Sequence, residues 1–156
     1  MKTIAGILMT LLSCAVLLSI AAYEKDAVGC KDSPLAPRMQ GYYIVGCDDH
    51  DGNADFEIPK GDGTETVHVE GKSVAVMYSP QPDMKQKPTE AQLKADFEKA
   101  MKGEGAAFMC TTPGQNWPVY RLLKGDKEYW IVLLVNSAEY FTGSYAIRVI
   151  ERGGAK

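Results

Sequence analysis

The chain has 156 residues, of which 46% are hydrophobic and 24% charged, with a formal net charge of −3. That is the composition of one ordinary globular domain once a targeting segment is set aside. A pI near 5.4 leaves no basic footprint for nucleic acid or for an anionic membrane surface, so both are excluded as partners.

The N-terminus reads Met1, Lys2, then an uncharged apolar run from Thr3 to Ala22, followed abruptly by the charged "YEKDA". This pattern predicts a secretory signal peptide over residues 1–22, with Lys2 as the basic region and Ser19-Ile20-Ala21 or Ala22 at the cleavage site. An uncleaved membrane anchor is the alternative, since about 20 apolar residues can span a bilayer. Lipidation at Cys14 or Cys30 fits less well. The apolar run before Cys14 is too short, and Glu24, Lys25 and Asp26 separate the run from Cys30. All three readings export the protein. Loss of Lys2 with the signal takes the net charge from −3 to −4.

If Cys14 leaves with the signal, three of the four cysteines remain. Cys30 and Cys47 are the expected disulfide, because both flank one loop and exported proteins sit where disulfides persist. Such a loop would stabilise the fold by about 3 kcal/mol in the chain-entropy account. Cys110, in the apolar "AAFMC", reads as a buried small hydrophobe. Three unpaired cysteines are the open alternative.

Pro34, Pro37 and Gly41 make residues 23–41 read as a linker, ahead of a single domain over 42–152 and a tail at 153–156. "YYIVGC" and "ADFEIP" read as two strands separated by a turn on Asp51-Gly52, and "TVHVEGKSVAVMY" as a hairpin turning on Gly71-Lys72. Pro80, Pro82 and Pro88 mark an irregular crossing. A helix follows over Thr89 to Lys102, with Thr89 and Gln92 as a capping box and Leu93, Phe97, Ala100 and Met101 as its apolar stripe. Glu90–Lys94 and Glu98–Lys102 add i,i+4 pairs, and Gly103 supplies the stop. "AAFMCTT", "WPVYRLLK", "EYWIVLLVN" and "GSYAIRVIE" are further strands, with a turn over Lys124 to Lys127. Strands on both sides of one helix predict an α+β fold, an antiparallel sheet carrying one main amphipathic helix on one face.

"KDSPLAPRMQGYYI" resembles the "KD-x-P-L-x-x-R-M-P-G-Y-Y-I" segment that opens the N-terminal module preceding the peptidoglycan-binding domain in a group of OmpA-family outer-membrane proteins. "DFEKAMKGEGAAFM" is similar to that module's helix and following strand, and "LLKGDKEYWIVLLVNSAEYFTGSYAIRVIE" to its closing hairpins. The similarity runs from Lys31 to Glu151. It implies that module's fold and a bacterial envelope location, and it implies no catalytic residues. Gln40 replaces the pattern's proline, the cysteines lie outside the pattern, and no peptidoglycan-binding domain follows in these 156 residues, so wall binding does not carry over.

Asp49, Asp51, Asn53 and Asp55 occupy the first, third, fifth and seventh positions of a calcium-loop pattern. Ala54 and Lys60 stand where that loop needs its glycine and its bidentate glutamate. A solvated turn is the plainer reading, with a weak divalent-cation site as the alternative. "EGKS" (Glu70 to Ser73) resembles the end of a P-loop, but the first glycine is missing at Thr66 and a strand follows. His50, His68 and Cys110 have no nucleophile–base–acid pattern around them. Trp117, Tyr120, Tyr129, Trp130, Tyr140, Phe141 and Tyr145 crowd the C-terminal third. Most should be core, with Trp117, Tyr129, Tyr140 and Phe141 as the residues of a possible interaction patch.

No cofactor and no enzymatic activity are expected. The sequence points to an exported, non-catalytic module of the bacterial cell envelope, acting through contacts with another envelope protein in the periplasm or at the outer membrane. Membrane association would come only through an uncleaved anchor or a lipid, and oligomeric state is not encoded in any motif. A periplasmic ligand-binding module is the alternative.

Overall fold

The structure, a computed structural model, describes residues 23–135 and 142–153. The predicted signal or anchor over residues 1–22 and the tail beyond 153 lie outside the described residues. Six strands form one antiparallel sheet: β1 (Tyr42–Lys60), β2 (Gly63–Pro80), β3 (Ala107–Thr111), β4 (Pro118–Lys124), β5 (Lys127–Val135) and β6 (Tyr145–Arg152), in the order β1-β2-β6-β5-β4-β3. Helix α1 (Glu90–Gly103) lies between β2 and β3 in sequence.

The glycines expected to make turns in the N-terminal half do not make them. Asp51 pairs with Lys72 and Gly52 with Gly71 in a ladder that runs from Tyr42–Pro80 to Lys60–Gly63, with a single register shift between Ile44 and Gly46. The chain reverses only at Gly61, at φ +57°. One hairpin of 19- and 18-residue strands therefore replaces the several short strands expected.

The facing glycines serve instead to let backbone approach backbone. A Cβ on Gly71 would lie 1.9 Å from the Glu151 carbonyl oxygen, and one on Gly52 would lie 2.8 Å from Ser73 Cβ. Pairing of β2 with β6 ends at Gly71–Arg152. Beyond it, the distal half of the hairpin leaves the plane and lies across the second face of the sheet. There Phe56 and Val69 share a core with Cys110, Val119, Trp130, Val132 and Ile150. Phe56 stacks on Trp130 with centroids 5.1 Å apart. This return brings β1 alongside β3, the opposite edge of the same sheet.

The first face carries the larger core, in which Ile44, Val76, Tyr78, Ile131, Leu133 and Ile147 meet Leu93, Phe97 and Met101 of α1. The helix is built as its sequence predicts, with both bonds of the capping box formed between Thr89 and Gln92 and ion pairs Glu90–Lys94 and Glu98–Lys102. Its stop lies two residues further on. Gly105, at φ +78°, lets its own N–H reach Lys102 O and that of Ala106 reach Met101 O, a pair of bonds that satisfies the last carbonyls.

The α+β expectation is corrected here. Among the described residues the single helix, 14 residues long, is an addition to a sheet that covers its own second face with a bent hairpin, and the fold is all-β. Residues 23–41 are likewise not a linker. Leu35 and Ala36 are buried, and Ala27, Cys30 and Met39 pack on the first face.

Substituting Gly71 by Val should lower stability by about 2–3 kcal/mol, the cost of forcing strain into a packed site. Gly103→Ala, whose Cβ meets nothing within 4 Å, should stabilise by about 0.5–1 kcal/mol through helix propensity. Urea unfolding checks both: the midpoint should rise at constant m-value for Gly103→Ala, and fall together with the m-value for Gly71→Val, whose hairpin does not seat.

Candidate functional site

The segment that carries the family resemblance folds into a charge-pinned loop. Arg38 Nε lies 2.9 and 3.0 Å from the two Asp32 oxygens, while its terminal nitrogens donate to both Asp26 oxygens at 2.7 and 2.6 Å. A planar guanidinium fork matches two carboxylates in this way and a lysine could not. Asp26 Oδ1 also accepts the Ile44 N–H at 2.8 Å, which ties the loop to β1. Tyr78 Oη donates to Asp32, and Tyr145 Oη accepts the Met39 N–H. On the far side of the loop, buried Gln81 exchanges two 2.8 Å bonds with the Glu24 backbone.

These contacts set the electrostatics. The Arg38 guanidinium, helped by the Ile44 N–H, holds the Asp26 carboxyl below the usual carboxylate range, and the two aspartates push Arg38 up in turn. Burial pushes the Tyr42 phenol up to about 12, and raises Tyr78 and Tyr145 as well. At neutral pH Asp26 and Arg38 thus stand as a charged pair and the three phenols as neutral hydroxyls.

The disulfide expected between Cys30 and Cys47 is formed, with Cα atoms 5.7 Å apart. It closes the loop onto the first face of the sheet. Between loop and sheet lies a groove of about 450 Å³, floored by Val74, Val76, Val149 and Tyr129 and rimmed by Lys31, Asp49, Lys72 and Glu151. Two of its rim charges are engaged with each other, Lys72 with Asp49 at 3.4 Å, and Glu151 bonds Lys127 at 2.7 Å.

The four residues of the calcium-loop pattern do not converge. Asp49, Asp51, Asn53 and Asp55 occupy alternate positions of extended β1, so successive members stand about 7 Å apart along the strand. Asp49 pairs with Lys72, and Asp55 bonds His68 at 2.6 Å. Among the described residues no group of three or more His, Cys, Asp or Glu side chains is placed to hold a metal ion. Pairing of β1 with β2 through all of these positions removes the loop on which the weak cation reading depended.

The proposed aromatic patch is also divided. Tyr129 packs on the first core from β5, and Trp117, just ahead of β4, packs on the second. Tyr140 and Phe141 lie outside the described residues. Of the catalytic candidates, His50 rests on Asp48 at 3.1 Å and His68 on Asp55, both on the surface. Cys110 is buried, and that burial raises its thiol away from the reactive thiolate.

Two arginine arrangements have no signature in the sequence reading. Glu128 accepts from Trp130 Nε1 at 2.8 Å and from Arg121 Nε at 2.9 Å, with Arg152 at 3.4 Å. Burial pushes this carboxyl up, but the indole and guanidinium bonds outweigh it and hold it below the usual range. Arg148 differs from the other arginines. It donates to Ser73 Oγ at 3.0 Å and to the Asn53 carbonyl at 3.3 Å and pairs with no carboxylate among the described residues. The alternation of charged and apolar residues in "YAIRVIER" marks which positions share a face, and could have placed Arg148 beside the apolar second face.

No protein-family model, no curated protein and no solved structure matches the chain.

Replacing Arg38 by Met should cost about 2 kcal/mol at neutral pH, the scale of charge-assisted hydrogen bonds. The pH dependence has a definite sign. Asp26 has a lowered folded-state pKa, so its contribution is fully present above the unfolded carboxylate value of about 3.9 and fades as pH falls through the folded value. The gap between wild type and Arg38→Met, measured by urea unfolding, should therefore narrow steadily below about pH 4.

Proposed function

We propose that the chain is an exported, non-catalytic module of the bacterial cell envelope that acts through protein contacts in the periplasm or at the outer membrane. The observation that carries this reading is the Cys30–Cys47 disulfide, which is consistent with an oxidising, exported setting. The resemblance to the OmpA-associated module supports the envelope location. Its defining residues Asp32 and Arg38 pin the N-terminal loop and Tyr42 donates to the Gly143 carbonyl ahead of β6, so the motif reads as a mark of the fold and not of a reaction. Contacts with a partner are supported by apolar surface left open on the second face, where Met77 is 43% and Val45 45% exposed.

A periplasmic ligand-binding module is the second reading, favoured by the loop-roofed groove over Val74, Val149 and Tyr129. Its size and its apolar floor with a few polar rim groups suit a small amphiphile. The divalent-cation form of that reading has no support from the extended β1 geometry, and calcium should leave the thermal midpoint unchanged, since a ligand selective for the native state must raise it.

Intact mass after cell fractionation tests the main reading. The exported chain should begin near Ala22 and take one alkyl group under denaturing, non-reducing conditions and three after reduction, from Cys110, Cys30 and Cys47. A cytoplasmic chain with all cysteines reduced would overturn it.

A further inference from the structure

The floor of the groove beneath the N-terminal loop follows the rungs of the sheet. Val76 lies at one end, Val74 and Val149 form the next rung, and Lys72, Glu151 and Tyr129 form the rung after that. Val74 and Val149 are only half-buried although they pack on the first core, so an aliphatic rung stays open under the roof. Pro34 and Leu35 supply the apolar part of that roof. Its polar side chains are already bonded: Asp32 accepts from Arg38 and Tyr78, and Ser33 Oγ accepts the Leu35 N–H at 3.2 Å. The interior therefore suits an apolar body that carries no polar group of its own. Its volume of about 450 Å³ falls within the range of about 300–1,000 Å³ common to small-molecule sites.

Charge is left over at the β1 edge of the groove. Cys30 is bonded to Cys47, which holds Lys31, the next residue of the loop, on the β1 side. Asp49 stands two residues along β1 from Cys47 and on the same face, and Lys72 lies 3.4 Å from it. That edge thus brings together two cations and one carboxylate. Among the described residues each carboxylate of the lining is matched, Asp32 by Arg38, Asp49 by Lys72 and Glu151 by Lys127, and Lys31 is the lining cation left without one. Asp51, the ladder partner of Lys72, lines a different hollow. The long Lys72–Asp49 contact joins two exposed side chains, a kind of pair that contributes little and gives way to a better acceptor.

Resting on the reading of the chain as a ligand-binding module, we infer that this groove takes a free fatty-acid anion. The alkyl chain lies over Val74, Val76 and Val149 beneath Pro34 and Leu35, and the carboxylate stands between Lys31 of the roof and Lys72 of the floor. One unmatched cation is complementary to a monoanion and opposes a cationic head. Charge-assisted bonds from the two lysines hold the head at the edge, and the aliphatic floor supplies the buried area.

The test is calorimetric titration of the disulfide-bonded exported chain at neutral pH with three amphiphiles that share one alkyl chain: decanoate, decylphosphocholine and decyltrimethylammonium. Each is kept below its micelle concentration. Decanoate should bind at a single site and at least about tenfold tighter than either of the others, the order expected for a charge-assisted bond. Lys31→Gln, at an exposed loop position, should remove that preference and leave the thermal midpoint unchanged. Lys25→Gln, an exposed lysine outside the groove, should keep it. Equal or tighter binding of decylphosphocholine or decyltrimethylammonium, an undiminished preference in Lys31→Gln, or a preference lost equally in Lys25→Gln would overturn the fatty-acid assignment and leave a ligand-binding groove. Absence of saturable binding by all three would overturn both.

Discussion

Contact between backbones at Gly71 governs the architecture. The Glu151 carbonyl occupies the space that any side chain at Gly71 would need, so β6 can end flush against β2 and the rest of the hairpin can turn away. Everything on the second face depends on that turn. Phe56 reaches Trp130, Val69 reaches the same core, and Cys110 is shut in beneath them. Arg148 reinforces the bend by bonding Ser73 on one side of it and Asn53 on the other. A sheet of this size would otherwise present one apolar face to water, which sheets avoid by stacking, closing or recruiting helices. This one folds part of itself over.

The first face is closed by different means. Helix α1 covers the β4–β5 side, and the N-terminal loop covers β1 and β2, held by the disulfide, the Arg38 fork and the buried Gln81. Thus the sheet has two covers of unlike origin. A loop rich in proline and charge can serve as a cover because its charges satisfy one another at its rim while Leu35 and Ala36 point inward. The groove left between loop and sheet, and the strip left beyond the hairpin, are the places where that coverage ends.

Much of the local structure was legible in the residues. The capping box at Thr89, the apolar stripe of α1, the Lys124–Lys127 turn and the cysteine pair all follow from short-range chemistry, and each forms. What failed was the reading of Gly52 and Gly71. In sequence, a glycine between alternating apolar residues marks a turn or a close approach equally well, and only the position of β6, some 80 residues away by the Gly71–Arg152 pairing, decides between them. The same error hid the bend, made the acidic stretch of β1 look like a loop, and raised the helix to the main cover of an α+β fold. The Arg38 fork was not legible, because Asp26 and Asp32 become its partners only when the loop closes.

Alkylation of Cys110 in the native state tests the bent hairpin most directly. The thiol lies 6% exposed in the second-face core, in one cluster with Phe56, Val69 and Trp130. Its modification by iodoacetamide, followed on the Cys110 peptide by mass spectrometry, should be slow in the wild type and should accelerate sharply in Gly71→Val, where the hairpin cannot seat. Rapid modification in the wild type, or equal protection in Gly71→Val with a native near-UV spectrum, would contradict a second face covered by a hairpin that turns on Gly71.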